Sequence, residues 1–160
     1  MKGVVVYDSV YGNTKQVAEA IAEQIRVEGH EAELRSLRES HPEPPKGDFM
    51  FVGSPTRIGN ATRKARRFAK KLSASDWHQQ PIVPFDTVMP MPTDEKQKEK
   101  ARKYIERSAS HKLEEILKAK GLNVKPVLRF TVTGMKGPLA EGAIEDAKRL
   151  THEFIATLAK

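Results

Sequence analysis

A chain of 160 residues suits one compact domain, and its composition, 38% hydrophobic and 31% charged, is that of an ordinary globular protein. No apolar run approaches the roughly 18 residues a membrane span needs. The absence of cysteine excludes disulfides, thiolate nucleophiles and cysteine-held metal or iron–sulfur centres, so any redox centre has to be brought in. A formal net charge of +7 raises the question of nucleic acid. The basic residues read as spread over helix surfaces (Arg63, Lys64, Arg66, Arg67, Lys70 and Lys71; Lys96, Lys98, Lys100, Arg102 and Lys103), many among glutamates, and no recognition motif with interleaved aromatics accompanies them. A solvated surface is therefore expected first, an acidic protein partner second and nucleic acid last, with no membrane role.

Short apolar runs alternate with helical patterns from end to end, which implies a parallel sheet covered on both faces. The first strand is expected over Lys2–Tyr7; Asp8 and Ser9 follow it where a secretory signal would stay apolar. A helix over Thr14–Glu28 carries Val17, Ala18, Ile21 and Ile25 on one stripe and stops at Gly29. The second strand, Glu31–Leu37, alternates and reads as an edge. The run His41-Pro42-Glu43-Pro44-Pro45 is a connector into a third strand at Asp48–Gly53. A basic helix then runs from Asn60 or Ala61 to Leu72, and Trp77 is placed at a helix-to-strand corner before the fourth strand, Pro81–Phe85. One long helix is expected from Asp94 to Gly121, striped by Ala101, Tyr104, Ile105, Ala109, Leu113, Ile116 and Leu117, with a salt-bridged face at its start. The last strand, Lys125–Thr133, and last helix, Glu141–Leu158, complete a single domain over residues 1–160. The five histidines show no metal-ligand spacing, and no metal site is expected.

The most informative segment is VVVYDSVYGNTKQVAEAI, Val4–Ile21: a buried strand, a hydroxyl- and glycine-containing turn, then a helix. A strand that delivers the chain to a helix amino end creates an anion site, where unpaired N–H groups and the helix dipole favour phosphate. Ser9, Asn13 and Thr14 can add side-chain hydrogen bonds, and Gly12 permits close approach. Neither GxxxxGK[ST] nor GxGxxG is present, so a terminal monophosphate fits better than a triphosphate or pyrophosphate. Tyr7, Ser9, Gly12, Thr14, Ala18 and Ile21 resemble the FMN-phosphate signature of the flavodoxin family. That resemblance covers essentially the whole chain. It implies an α/β, flavodoxin-like, doubly wound five-stranded parallel sheet of order 2-1-3-4-5 with helices on both faces. FMN would be held by Ser9, Val10, Tyr11, Gly12, Asn13 and Thr14 at its phosphate.

The resemblance also assigns two further loops to the flavin. Ser54, Pro55, Thr56, Arg57, Ile58, Gly59 and Asn60 would border the ring, with Gly59 letting a peptide group turn toward flavin N5. Arg57-Ile58-Gly59-Asn60 resembles flavodoxin-like NAD(P)H:quinone reductases as well, so an enzyme remains an alternative, as does a binding module without FMN. Phe85, Asp86 and Thr87 are candidates for the third wall, against the simpler reading of a strand-end turn, with apolar contact from Ile58 and Met89. The loop Thr133–Leu139 is expected beside the third loop, most simply as a turn. Taken together, the resemblance implies a cytoplasmic FMN electron carrier without catalytic residues, exchanging electrons with a redox protein that carries an acidic patch.

Overall fold

The computed structural model describes residues 1–158, apart from the side chain of Tyr104. Five parallel strands lie in the order β2-β1-β3-β4-β5: β1 Lys2–Tyr7, β2 Glu31–Ser36, β3 Phe49–Pro55, β4 Ile82–Val88 and β5 Leu128–Thr131. The helices are α1 Asn13–Val27, α2 Arg63–Lys71, α3 Glu95–Ile105, α4 Ala109–Ala119 and α5 Ala143–Leu158. The flavodoxin-like sheet order expected from the resemblance is therefore the one observed.

Strand alternation divides the core in two. Val5, Phe49, Phe51, Val83 and Phe85 point to the face covered by α1 and α5, where Phe154 meets the rings of Phe49 and Phe51 edge-on. Val4, Val6, Met50, Val52 and Ile82 point to the other face, covered by α2 and α4. There Trp77 is fully buried and donates its indole N–H to the Pro45 carbonyl at 2.9 Å. The corner tryptophan thus also fastens the proline-rich connector. Ala32 and Leu34 of the edge strand reach only partial burial.

Two expectations about the second half are corrected. The long helix from Asp94 is two helices, α3 and α4, separated at Glu106-Arg107-Ser108. The apolar stripe does continue across the break, through Ala109, Leu113 and Leu117, but Ser108 has extended backbone angles (φ −91°, ψ −174°) and starts a new helix. Tyr104, placed on that stripe by its spacing, lies outside the described side chains. The salt-bridged face survives as Lys98 with Glu95 and Arg102 with Glu106. Strand β5 is also shorter than its apolar run. Between the Ile82–Val124 bridge and the Phe85–Leu128 pair, β4 uses two residues and the neighbouring chain three, a bulge that houses Pro84 and Pro126. Neither proline has an N–H to donate, so the ladder is broken where both occur. Gly53 of β3 is required for a different reason: a Cβ there would sit 2.2 Å from the Phe85 ring.

Candidate flavin site

Parallel strands bring their carboxyl ends to one edge, and the loops leaving β1, β3, β4 and β5 enclose a cleft of about 410 Å³ there. At the first loop, Gly12 turns the chain into α1 with a φ of 97°, a left-handed conformation that costs other residues roughly 1 kcal/mol or more. The Ser9 hydroxyl accepts from Gly12 N at 3.1 Å and Lys15 N at 3.3 Å, which holds the loop in its curve. The amides of Val10, Tyr11, Asn13 and Thr14 have no acceptor among the described residues. No acidic side chain occupies the first turn of α1. The helix amino end is thus left positive and unpaired, the electrostatics a phosphate needs. The Thr14 hydroxyl is buried and shares a 2.9 Å hydrogen bond with that of Thr87, linking the first loop to β4.

The second loop is a two-residue hairpin turn: Arg57 N donates to Asn60 O at 2.8 Å and Asn60 N returns to Arg57 O at 3.1 Å. Both central residues have positive φ, 51° at Ile58 and 70° at Gly59. Glycine accepts that geometry; isoleucine, branched at Cβ, is strained by it. The strained backbone therefore holds an apolar side chain, 83% exposed, over the cleft. Pro55, Thr56, Arg57 and Ile58 line the cleft. Ser54 is buried and caps the approach to α2, accepting from Thr62 N at 3.0 Å. Gly59 and Asn60 open instead to a neighbouring depression shared with Lys103, Arg107, Ser108 and Lys112.

The third wall is built from Thr87, Val88 and Met89. Phe85 does not reach the cleft: it is fully buried, packed on Gly53 and edge-on to Phe130. Asp86, one residue on, points to the opposite face of the sheet. Its carboxylate receives the Ser108 hydroxyl and, at 2.8 Å, the amide of Ser110. Ala109 N donates to Thr56 Oγ1 at 3.1 Å, so the start of α4 is capped from two strand ends. Burial pushes the Asp86 carboxyl above the usual aspartate value, against the opposing pull of the Ser108 and Ser110 hydrogen bonds and of Arg129.

Val88, Val132 and Met135 also line the cleft; residue spacing put Val88 and the loop of Met135 near the third wall without assigning them to the flavin, and did not single out Val132. Val88 and Val132 are buried and carry no surface signal; Met135 is exposed apolar surface. Among the described residues, seven large hydrophobic side chains are exposed, and Val10, Tyr11, Ile58, Met89 and Met135 of these ring the cleft. Arg57 and Lys136 each lie 5.8 Å from the centre of the Tyr11 ring, so three loops meet there and put two cations beside the apolar rim. Unpaired amides at one end and an apolar, cation-flanked mouth at the other suit a molecule with a phosphate tail and a flat, weakly polar ring.

The flavodoxin-domain family profile matches residues 4–135, most of the chain. The chain belongs to the flavodoxin family. Flavodoxin-family proteins bind FMN, and the open amino end of α1 fits its phosphate as the apolar rim fits its isoalloxazine. The flavodoxin of Aquifex aeolicus (strain VF5) is 38% identical over 78 residues, a stretch covering 48% of this chain and 42% of that protein. The matched stretch is thus less than half the length of that curated relative. Two solved structures share the fold over 100% of both chains: a flavodoxin from the domain Archaea, with TM-score 0.75 and 21% identity, and a cysteine-to-serine mutant of the flavodoxin from Pseudomonas aeruginosa, with TM-score 0.70 and 20% identity. No described helix is long and apolar enough to cross a membrane.

Proposed function

We propose that this flavodoxin-family chain is an electron carrier, working in the cytoplasm between redox proteins, and that the cleft residues named above hold its FMN. The observation that carries the reading is the coincidence of four unpartnered amides with five exposed apolar side chains around one cleft. Bound FMN supplies the redox chemistry, accepting and releasing electrons singly or in pairs. The chain's own residues do the rest. The amides of Val10, Tyr11, Asn13 and Thr14 and the Thr14 hydroxyl bind the phosphate. Tyr11, Ile58, Met89 and Met135 exclude water from the ring. Arg57 and Lys136 favour added negative charge there. Gly59 keeps the turn's peptide able to change orientation, since its φ of 70° suits glycine in either setting.

The test is anaerobic titration of purified protein. It should take up FMN but not FAD, about one per chain, because a site for one terminal phosphate has no place for a pyrophosphate. Stepwise dithionite reduction should pass through the long-wavelength absorbance of one-electron-reduced flavin. Rapid NADH- or NADPH-driven benzoquinone reduction without that absorbance would replace the carrier with a quinone reductase.

A further inference from the structure

The charge of this protein is concentrated. From Phe49 to Ser75 there is no acidic residue, while Arg57, Arg63, Lys64, Arg66, Arg67, Lys70 and Lys71 all fall in that stretch. Outside it, basic and acidic residues are equal in number, so the whole formal excess of +7 sits on the second flavin loop and α2. The spread read from the sequence therefore conceals one patch. Helices α3, α4 and α5 hold cations in ion pairs such as Arg102–Glu106, Lys118–Glu114 and Arg149–Glu153. None of the six cations of α2 has an ion-pair partner among the described residues, and all but Arg66 are exposed. Arg63, Arg66, Arg67, Lys70 and Lys71 line a groove of about 490 Å³.

Holding six like charges on one nine-residue helix is a standing electrostatic cost unless something offsets it. The patch is also continuous with the redox site: Arg57 lines the cleft, and α2 starts shortly after the Arg57–Asn60 turn. We infer that α2 and the second flavin loop form the docking surface for a redox protein with an acidic face, which seats its electron-transfer edge against the Ile58 rim. The inference rests on the electron-carrier reading and adds where the partner binds. Protein is favoured over nucleic acid because the aromatic of α2, Phe68, packs partly buried against the core and offers no stacking surface. A docking surface beside the apolar rim also brings the partner close to the ring, which a groove remote from the cleft would not.

The experiment uses FMN-loaded protein and an acidic ferredoxin as probe, with a basic c-type cytochrome as the sign control. Electron exchange is followed by stopped flow in wild type, in the triple variant Arg63→Gln/Arg67→Gln/Lys70→Gln, and in a charge-matched triple variant Lys2→Gln/Lys148→Gln/Arg149→Gln. The α2 triple should slow exchange with ferredoxin about tenfold at low ionic strength, the control triple less than about twofold, and the difference should vanish at high salt. Equal slowing by both triples, or none by either, overturns the surface. So does oligonucleotide binding lost only in the α2 triple while ferredoxin exchange is untouched. Amide chemical shifts of residues 63–71 on adding ferredoxin read docking independently. If they move while no electrons pass, the surface stands and the carrier reading falls; if electrons pass while they stay still, the reverse holds.

Discussion

The amino ends of α1 and α4 open to the same edge of the sheet, and the chain treats them in opposite ways. At α4 the first amides are taken by protein side chains, Ala109 N by Thr56 and Ser110 N by Asp86, with Ser108 adding its hydroxyl to the same carboxylate. The amino end of α2 is closed likewise: Thr62 accepts from Ala65 N at 3.3 Å, and Ser54 accepts from Thr62 N. At α1 the Gly12 cap has no side chain, and the amides of Asn13 and Thr14 have no acceptor among the described residues. All three ends carry the same dipole. A helix amino end becomes a ligand site where the chain withholds its own cap.

The contrast breaks most visibly at Asp86. Asp86→Ala strands the Ser110 amide and takes from the Ser108 hydroxyl its shortest hydrogen bond, and should cost about 3 kcal/mol by denaturant unfolding, with FMN affinity falling less than that loss. Asp86→Asn sharpens the point through pH. A carboxyl whose pKa is raised by folding contributes stability below its unfolded value, near 3.8, and loses it as pH rises through the folded value. Wild type should therefore lose stability relative to Asp86→Asn as pH climbs from 3.8 through that raised pKa. A constant difference between the two across that range would show that Asp86 is charged throughout.

Thr14→Val addresses the open end. It should weaken FMN binding by about 1.5 to 3 kcal/mol, or roughly ten- to a hundredfold, by fluorescence titration. Because Thr14 also bonds Thr87, the companion variant is Thr87→Val, which removes that bond and leaves the Thr14 hydroxyl for phosphate. Thr87→Val should keep most of the affinity. Equal losses in both would mean that Thr14 acts by holding the loop in place.

Thr62→Ala is the matching change at a closed end. Loss of that cap should lower stability by about 1 kcal/mol and leave FMN affinity unchanged. The smallest effect is expected at Arg57, whose guanidinium flanks Tyr11 at the cleft mouth. Arg57→Ala should make the second-electron potential more negative by on the order of tens of millivolts, read by spectroelectrochemistry, and the shift should shrink with added salt. An unchanged potential would place the charge too far from the ring to matter.

Much of the candidate site was legible because its signals are local. Tyr7 to Ile21 joins a strand, a turn and a helix within one stretch, and its spacing alone pointed to an anion at the amino end of α1. The Arg57–Asn60 segment was rightly placed at a strand end, but nothing local announced that Ile58 would take a left-handed φ. Phe85 and Asp86 were drawn toward the flavin by their position after an apolar run. Both lie inside β4, which runs on to Val88, and the cleft is lined from Thr87 onward; a short apolar run does not show where its strand stops.

The alternation of strands and helices, the sheet order implied by the family signature and the candidate phosphate loop were all readable from the residues alone. Each depends on periodicity or on hydrogen-bonding groups a few residues apart. The break of the second half into α3 and α4 depends on contacts between distant parts of the chain. The break at Ser108 is held by Asp86 and Thr56, residues 22 and more positions away, and periodicity carries no trace of a cap that arrives through space. The apolar rim was decided in the same way: Val10, Tyr11, Ile58, Met89 and Met135 come from four loops, and parallel strands alone bring their ends to one edge.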